Sequence, residues 1–239
     1  MNDAMERNEQ ISRLNTLFGK KSPEDLLRYF LDKYGRRIAL ASSMGIEDQI
    51  LTDMIVRIAP SARIFTIDTG RLFPETYSLI DKTRLTYNIP LEVFFPDSHA
   101  VESYVQANGI NGFYETVDKR KACCHVRKIQ PLLRALSTLD VWICGLRKEQ
   151  SVTRTETQMV EWDEVNRLIK INPLIHWTDQ DLRDYLQKYN VPVNSLHRLN
   201  YPSIGCQPCT RSVEKGEDVR AGRWWWENPE HKECGLHRR

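Results

Sequence analysis

The feature that most constrains the fold is an alternation of short apolar segments with amphipathic segments of helical period. Four apolar runs predict β-strands, at residues 37–41, 63–67, 91–95 and 141–144. The segments around them favour helices, at residues 22–34, 49–58 and 178–189 and from Pro74 onward. Strands that alternate with helices predict an α/β fold, in which a parallel sheet carries helices on both faces.

Two loops follow predicted strands at the edge where such sheets bind ligands. The loop Ser42–Asp48 offers hydroxyls and backbone N–H groups next to a helix N-terminus, which suits a phosphate or sulfate. The loop Asp68–Arg71 combines a tight Gly turn with an arginine that can meet an anion. From these segments alone, the first loop is equally well interpreted as an ordinary strand–helix turn, and the second as a solvated turn.

Four of the six cysteines form two tight pairs, Cys123–Cys124 and Cys206–Cys209. Together they supply the four thiolates of a Cys₄ zinc site or an iron–sulfur centre. Cys144 lies in an apolar strand and is interpreted as an inert core thiol. Cys234 has basic and histidine neighbours that favour its thiolate, the nucleophilic form. The plainer interpretation is a zinc staple and a stray tail cysteine.

Positive charge is concentrated around the first cysteine pair, where five Lys or Arg lie within residues 119–128. If this segment is helical, its spacing places Lys121, Cys124 and Lys128 on one face, where cations offset the charge of bound thiolates. Arg120 is given no role, and His125 is not expected to be a ligand because four thiols suffice. The run of three tryptophans at 224–226 is interpreted as packing.

Composition excludes several classes of protein. The 239 residues carry a net charge of only +2, which argues against a broad nucleic-acid surface. We find no apolar run of membrane-spanning length and no secretory signal, so the cysteines are expected to be cytoplasmic thiols or ligands. We expect one domain in three parts: an N-terminal helical region (1–36), a nucleotide-binding α/β core (37–190) and a less regular C-terminal segment (191–239).

Several motifs together resemble the iron–sulfur branch of the sulfonucleotide reductases, the assimilatory adenylyl-sulfate (APS) reductases. They are SSMGIED (42–48), IDTGRLFPETY (67–77), CCHVRK (123–128), NSLH (194–197), SIGCQPCTR (203–211), GRWWWE (222–227) and KECGLH (232–237). The first loop also resembles the P-loop of ATP-cleaving relatives but lacks their Ser-Gly-Gly-x-Asp-Ser form. This departure fits a substrate that is already activated as a sulfate–phosphate anhydride.

The resemblance implies a single Rossmann-like sheet of the adenine nucleotide alpha-hydrolase-like type. It implies that Cys123, Cys124, Cys206 and Cys209 hold one 4Fe-4S cluster per subunit. It also implies that the thiolate of Cys234 attacks APS, giving an S-sulfocysteine that thioredoxin or glutaredoxin reduces to release sulfite. The substrate-binding residues would be Ser42, Ser43, Glu47, Asp48, Asp68, Thr69, Arg71, Lys128, Arg154, Arg220, Arg223 and His237. A homo-oligomer is expected, with no nucleic-acid or membrane partner.

Three other functions stay open on the sequence. The nearest is reduction of the 3′-phosphorylated substrate (PAPS), alone or beside APS, although relatives specialised for it generally lack the paired cysteines. An ATP-dependent tRNA-thiolating enzyme shares the fold but should show a full P-loop and a larger basic surface. The third is a binding module stapled by zinc.

Overall fold

Six β-strands form one sheet in the structure, a computed structural model that describes residues 2–150 and 156–228. The strands are β1 (Ile38–Ser42), β2 (Arg63–Ile67), β3 (Leu91–Phe94), β4 (Val141–Ile143), β5 (Val160–Asp163) and β6 (Leu168–Ile171). Their order across the sheet is β3-β2-β1-β4-β6-β5. Neighbouring strands run parallel from β3 to β6, while β5 pairs antiparallel with β6. The mostly parallel α/β architecture confirms the predicted fold class.

Helices connect the strands and flank the sheet. They are α1 (Asn2–Phe18), α2 (Pro23–Tyr34), α3 (Ile46–Ile58), α4 (Pro74–Tyr87), α5 (Ser98–Asn108), α6 (Val117–Cys124), α7 (Gln130–Leu136) and α8 (Asp179–Tyr189). A π-helical segment, His125–Ile129, joins α6 to α7. Among the described residues, no helix is both long enough and apolar enough to cross a membrane.

The ends of α2 follow from local chemistry, as the sequence predicts. Ser22 caps the helix by accepting from the backbone N–H of Asp25, whose carboxylate accepts in return from the N–H of Ser22. Pro23 occupies the first turn, and Gly35 ends the helix with φ of 52°. The apolar stripe between these ends is buried in the core at Leu26, Leu27, Phe30 and Leu31.

The β5–β6 hairpin is not among the predicted strands, and it adds one antiparallel strand at the edge of the predicted parallel sheet. Its turn lacks the Gly or Asn-Gly signal that marks short hairpins. Instead, the carboxylate of Asp163 accepts from the backbone and side chain of Asn166, at 2.9 and 2.7 Å. Arg167 takes the left-handed conformation, with φ of 54°. A turn held by side-chain contacts leaves no simple mark in a single sequence.

The strand order reverses between β1 and β4, whose next strands lie on opposite sides of this pair. In open α/β sheets, the crevice at the carboxyl ends of such strands is the ligand site. Buried apolar side chains on β1 and β4 hold this edge rigid. Beyond α8 the described chain forms short 3₁₀ turns and one β-bridge, between Thr210 and Arg223. The less regular C-terminal segment is therefore confirmed up to residue 228.

Candidate functional site

The loop after β1 folds inward onto the first turn of α3. One carboxylate oxygen of Asp48 accepts from both the backbone N–H and the hydroxyl of Ser43, at 2.7 and 2.6 Å. Ser42 accepts from the backbone N–H of Met44 at 3.1 Å, and Met44 is left-handed with φ of 62°. Gly45 occupies the N-cap of α3 and has no side chain to accept from the helix. The first turn of α3 therefore keeps backbone N–H groups for a ligand.

This end of the site is acidic. Burial raises the pKa of Asp48 to about 6, although hydrogen bonds from Ser43 and the backbone of Gly145 oppose the shift. A Cβ at Gly145, just after β4, would overlap the Asp48 carboxylate, so only glycine fits here. The neighbouring Glu47 is half-buried and accepts from Arg147 at 2.9 Å. Hydroxyls and amines suit this end of the crevice better than phosphate does.

Arg147, in the loop after β4, ties this end to the rest of the sheet edge. Its guanidinium is buried and also meets Glu149 and Asp179, at 3.2 and 2.7 Å. Three carboxylates around one guanidinium keep it occupied, which makes Arg147 a structural support for Glu47. These partners are up to 100 residues away in the sequence, which does not reveal them.

The loop after β2 contacts the second cysteine pair. The hydroxyl of Thr69 lies 3.2 Å from the sulfur of Cys206, and the carbonyl of Arg71 accepts from the N–H of Gln207 at 2.8 Å. The Asp68 carboxylate accepts from the N–H of Gly70 and the hydroxyl of Tyr77, at 2.7 and 2.9 Å. The guanidinium of Arg71 turns to the carbonyl of Ile110, at 2.6 Å. The loop thus joins the sheet edge to the cysteines.

The structure brings both cysteine pairs to one cavity, although the pairs are about 80 residues apart in the sequence. Cys123 and Cys209 are buried, and Cys124 and Cys206 are half-buried. Apolar rings pack around them, including Phe113 and Trp224. The remaining lining is largely cationic, from Arg71, Arg120, Arg127 and Lys128.

Of the lysines Lys121 and Lys128, it is Lys128 that reaches this cavity. Lys128 lies in the π-helical segment and lines the cavity with Cys124, while Lys121 and His125 are exposed. Lys121 and Cys124 are both on α6 with the α-helical spacing that the prediction assumed, but the cavity lining includes Cys124 and leaves Lys121 out. The predicted face of Lys121, Cys124 and Lys128 is thus found only in part.

The donor set of this cavity fits an iron–sulfur cluster. Burial raises the pKa of the Cys123 and Cys209 thiols, so they bind protons unless a metal replaces them. Arg127 lowers the pKa of Cys123, and its guanidinium is held by the carbonyl of Thr69 at 2.7 Å. Within residues 2–150 and 156–228, no three His, Cys, Asp or Glu side chains lie close enough together to hold a single metal ion. In an iron–sulfur cluster each iron binds one thiolate, so the four cysteines can lie further apart than the ligands of a single metal ion.

A buried ion pair, which the sequence analysis left without a role, closes the cavity from the side of the C-terminal segment. Arg120 donates to both carboxylate oxygens of Glu227, at 2.9 and 2.7 Å, and both side chains are at most 3% exposed. The Trp224 ring is buried beneath Arg120, which confirms its packing role. Of the two residues, Glu227 lies in a motif of the sequence, GRWWWE (222–227), whereas Arg120 precedes the CCHVRK motif.

The remaining predicted residues come from the C-terminal segment and one loop. Arg223 is buried beside the cavity, where its charge lowers the pKa of the Cys209 thiol against the larger effect of burial. Arg220 is half-buried three residues earlier, and its carbonyl accepts from the N–H of Arg223 at 2.9 Å. Arg154, Cys234 and His237 lie outside the described residues.

The comparisons with known proteins agree with this geometry. Residues 37–212 match the family model described as the phosphoadenosine phosphosulfate reductase domain. The adenosine 5′-phosphosulfate reductase of Allochromatium vinosum is 52% identical over 202 residues, covering 84% of this chain and 79% of that protein. The reductase of the same name from Burkholderia cepacia is 50% identical over 201 residues, with 84% and 80% covered.

Among solved structures, a phosphoadenylyl-sulfate reductase from Candida auris has a TM-score of 0.74 at 26% identity, covering 86% of this chain and 97% of that one. An FMN adenylyltransferase of Candida glabrata has a TM-score of 0.56 at 14% identity, covering 94% and 77%, and shares the fold alone. The fold and the site thus define a class of protein, one with a Rossmann-like nucleotide-binding fold and a pocket lined by four thiols. Within that class, the chain belongs to the phosphoadenosine phosphosulfate reductase domain family.

Proposed function

We propose that this protein reduces adenosine 5′-phosphosulfate to sulfite and AMP in assimilatory sulfate reduction. The observation that carries the proposal is the convergence of both cysteine pairs on one cationic cavity beside the sheet-edge crevice. Relatives about half identical to the chain, and named for this activity, support the choice of substrate.

The two ends of the site suit the two ends of this substrate. The acidic end at Glu47 and Asp48 offers acceptors for ribose hydroxyls or the adenine amine, and anions are disfavoured there. The cationic end, with Lys128 and Arg223, suits the phosphosulfate. We propose that Arg220, Arg154 and His237 also bind the phosphosulfate. Ser42, Ser43 and the Asp68–Arg71 loop would also bind the nucleoside.

In the first chemical step, the thiolate of Cys234 attacks the sulfur of the substrate. An S–S bond forms, the bond from sulfur to the bridging oxygen breaks, and AMP leaves with that electron pair. The product is an S-sulfocysteine on the enzyme. The cations of the site stabilise the charge that develops on the phosphate oxygen.

In the second step, a dithiol protein such as thioredoxin or glutaredoxin attacks the Cys234 sulfur and releases sulfite. Its second thiol resolves the mixed disulfide, so the dithiol supplies two electrons and Cys234 returns as a thiol. Such reductants are kept reduced in the cytosol, which supports a cytoplasmic location. Self-association of the chain stays a prediction.

Cys123, Cys124, Cys206 and Cys209 would hold a 4Fe-4S cluster. When bound, the cluster would supply structure and local electrostatics, since the thiol chemistry is complete without a change in its oxidation state. The cations Arg71, Arg127 and Lys128 would offset the negative charge of the cluster. The hydroxyl of Thr69 would donate a hydrogen bond to the sulfur of Cys206, one of its ligands.

The experiment that tests the proposal is a side-by-side assay of sulfite release from APS and from PAPS, with thioredoxin and anaerobically purified protein. APS should be preferred by a wide margin in kcat/KM. Equal or better turnover of PAPS would replace the narrow assignment with a dual activity, or with the PAPS reductase activity for which the Candida auris protein is named. Turnover of neither substrate would contradict the proposal.

A further inference from the structure

Arg120 joins two segments that are far apart in the sequence. It lies on α6, one turn before the first cysteine pair, and its guanidinium is only 1% exposed. On one side it makes the bidentate pair with Glu227, 107 residues away. On the other side it hydrogen-bonds the thiol of Cys124. The planar guanidinium can serve both partners at once because its N–H groups point in different directions.

Two guanidinium groups contact the Trp224 ring. The Arg120 carbon lies 4.7 Å from the ring centroid, and the Arg223 carbon lies 4.8 Å from it. Trp224 also has a φ of 42°, a left-handed conformation that is unfavourable for a bulky side chain. Strained backbone of this kind persists only where its surroundings enforce it. Here the contacts are the ring stacking and the bond from the Trp224 N–H to the Cys209 carbonyl, at 3.1 Å.

The position of the Arg223 side chain depends on this arrangement. Its guanidinium lies so close to Gly205 that a Cβ there would overlap it. It donates to the hydroxyl of Ser203 at 3.3 Å and to the carbonyl of Ile204 at 3.4 Å. The stacked Trp224 ring is a further contact that fixes the direction of the Arg223 side chain.

We propose that Arg120 is a positioning residue, which acts through Glu227 and Trp224 to hold Arg223 at the cationic end of the site. The Arg120 side chain then couples the thiol pocket to the binding of the substrate phosphate. This inference rests on the proposed function, in which Arg223 contacts the phosphosulfate. The alternative is a purely structural ion pair, whose removal changes stability alone.

The decisive variant removes both charges together. Removing one partner strands the other as a buried charge, whereas replacing a buried pair with apolar residues of similar volume often leaves stability unchanged. Arg120→Met with Glu227→Met should therefore retain its melting temperature and its iron. Its Kd for AMP, measured by calorimetry, should rise about tenfold, the loss expected for one weakened contact to a charged group.

A matched control is the bidentate pair Arg63–Glu92, with bonds of 2.8 and 2.9 Å between β2 and β3. Arg63→Met with Glu92→Met removes the same chemistry away from the thiol pocket, so the Kd for AMP should not change. The visible absorption of the iron centre should shift in the Arg120 double variant alone, because only that variant loses a hydrogen bond to a cluster sulfur.

Arg120→Lys keeps the positive charge but cannot make the bidentate pair and the thiol bond together. Its Kd for AMP should rise roughly threefold to tenfold with normal iron content. This variant decides the question if the double variant loses iron or melts early. Wild-type AMP affinity in Arg120→Lys, or in a folded double variant, overturns the inference and leaves the proposed function standing. A wild-type protein that neither retains iron nor binds AMP overturns both.

Discussion

The two ends of the candidate site are assembled in different ways. At the acidic end, Ser43 and Asp48 are five residues apart, and one strand and one helix position both. At the thiol end, contacts join Thr69 to Cys206 and Arg120 to Glu227, across 137 and 107 residues. The acidic end therefore forms with the sheet itself. The thiol end requires the C-terminal segment to fold back, and it should depend much more strongly on its cofactor.

The electrostatics of the two ends differ in the same way. Every carboxylate at the acidic end has a hydrogen-bonding partner: Ser43 for Asp48 and Arg147 for Glu47. The thiol end collects cations around the sulfur atoms, and burial raises the pKa of the Cys123 and Cys209 thiols. A substrate that carries a nucleoside at one end and two anionic groups at the other would match this gradient.

The largest effect is expected for the cluster ligands. Cys206→Ser should lose iron, sulfide and sulfite formation together, because four thiolates leave no spare ligand. The same holds for Cys123, Cys124 and Cys209. Iron and sulfide analysis after anaerobic purification measures this directly. Cys144→Ala is the matched control, since Cys144 is a buried thiol of the sheet core and should retain full iron. A Cys206→Ser protein with full iron would show that the ligand set is wrong.

The next effect concerns the two lysines that flank the cysteine pair. Lys128→Ala should lower kcat/KM for APS by about 10² to 10³, as removal of one group that stabilises developing charge does. Lys121→Ala should change it little, because Lys121 is exposed on α6 and is not part of the cavity lining. Steady-state sulfite assays on both variants measure the difference. Equal losses would mean that both lysines act on the substrate through the same general electrostatic attraction. The position of Lys128 in the cavity lining would then give it no special role.

A smaller effect is expected at the acidic end. Glu47→Gln should raise the KM for APS about tenfold with little change in kcat, since a nucleoside contact is the same in the ground state and the transition state. Glu149→Gln removes another partner of Arg147 and serves as the control. A fall in kcat for Glu47→Gln at unchanged KM would place the reacting group at this end and reverse the assignment.

The smallest effect is a pH dependence of stability from Asp48. Its folded pKa of about 6 lies above the unfolded value of 3.8, so the native state holds an additional proton between these values. Stability should fall as the pH rises through this window and level off above it. The melting temperature of Asp48→Asn relative to wild type should then rise by roughly 5 °C between pH 4 and 7.

Asp140→Asn provides a control of opposite sign. A hydrogen bond from Arg37 lowers the pKa of Asp140, so its ionised form stabilises the protein above the unfolded pKa, and that contribution fades in acid. If the Asp48→Asn difference showed no pH dependence, the acidic end would not be buried as the structure has it.

Local patterns explain which parts were predictable. Strands β1 to β4, the cap at Ser22 and the loop at Ser42–Asp48 depend on neighbours within a few residues, so hydrophobic period and capping signals reveal them. The motif resemblance adds the four cysteines, which the structure places around one cavity. The roles of Arg120 and of the Asp68–Arg71 loop could not be derived in this way. Their partners are distant in the sequence, and helical spacing alone does not reveal that Lys121 is exposed while Lys128 lines the cavity.

The most direct test of the substrate assignment is the fate of sulfur in a single turnover. Anaerobically purified protein is incubated with APS and no reductant, and the intact mass and the cysteine peptides are then measured. We predict one SO₃ group on Cys234, release of one AMP per chain, and return of the free thiol with sulfite when thioredoxin is added. No adduct, or an adduct on Cys144 in place of Cys234, would contradict the assignment.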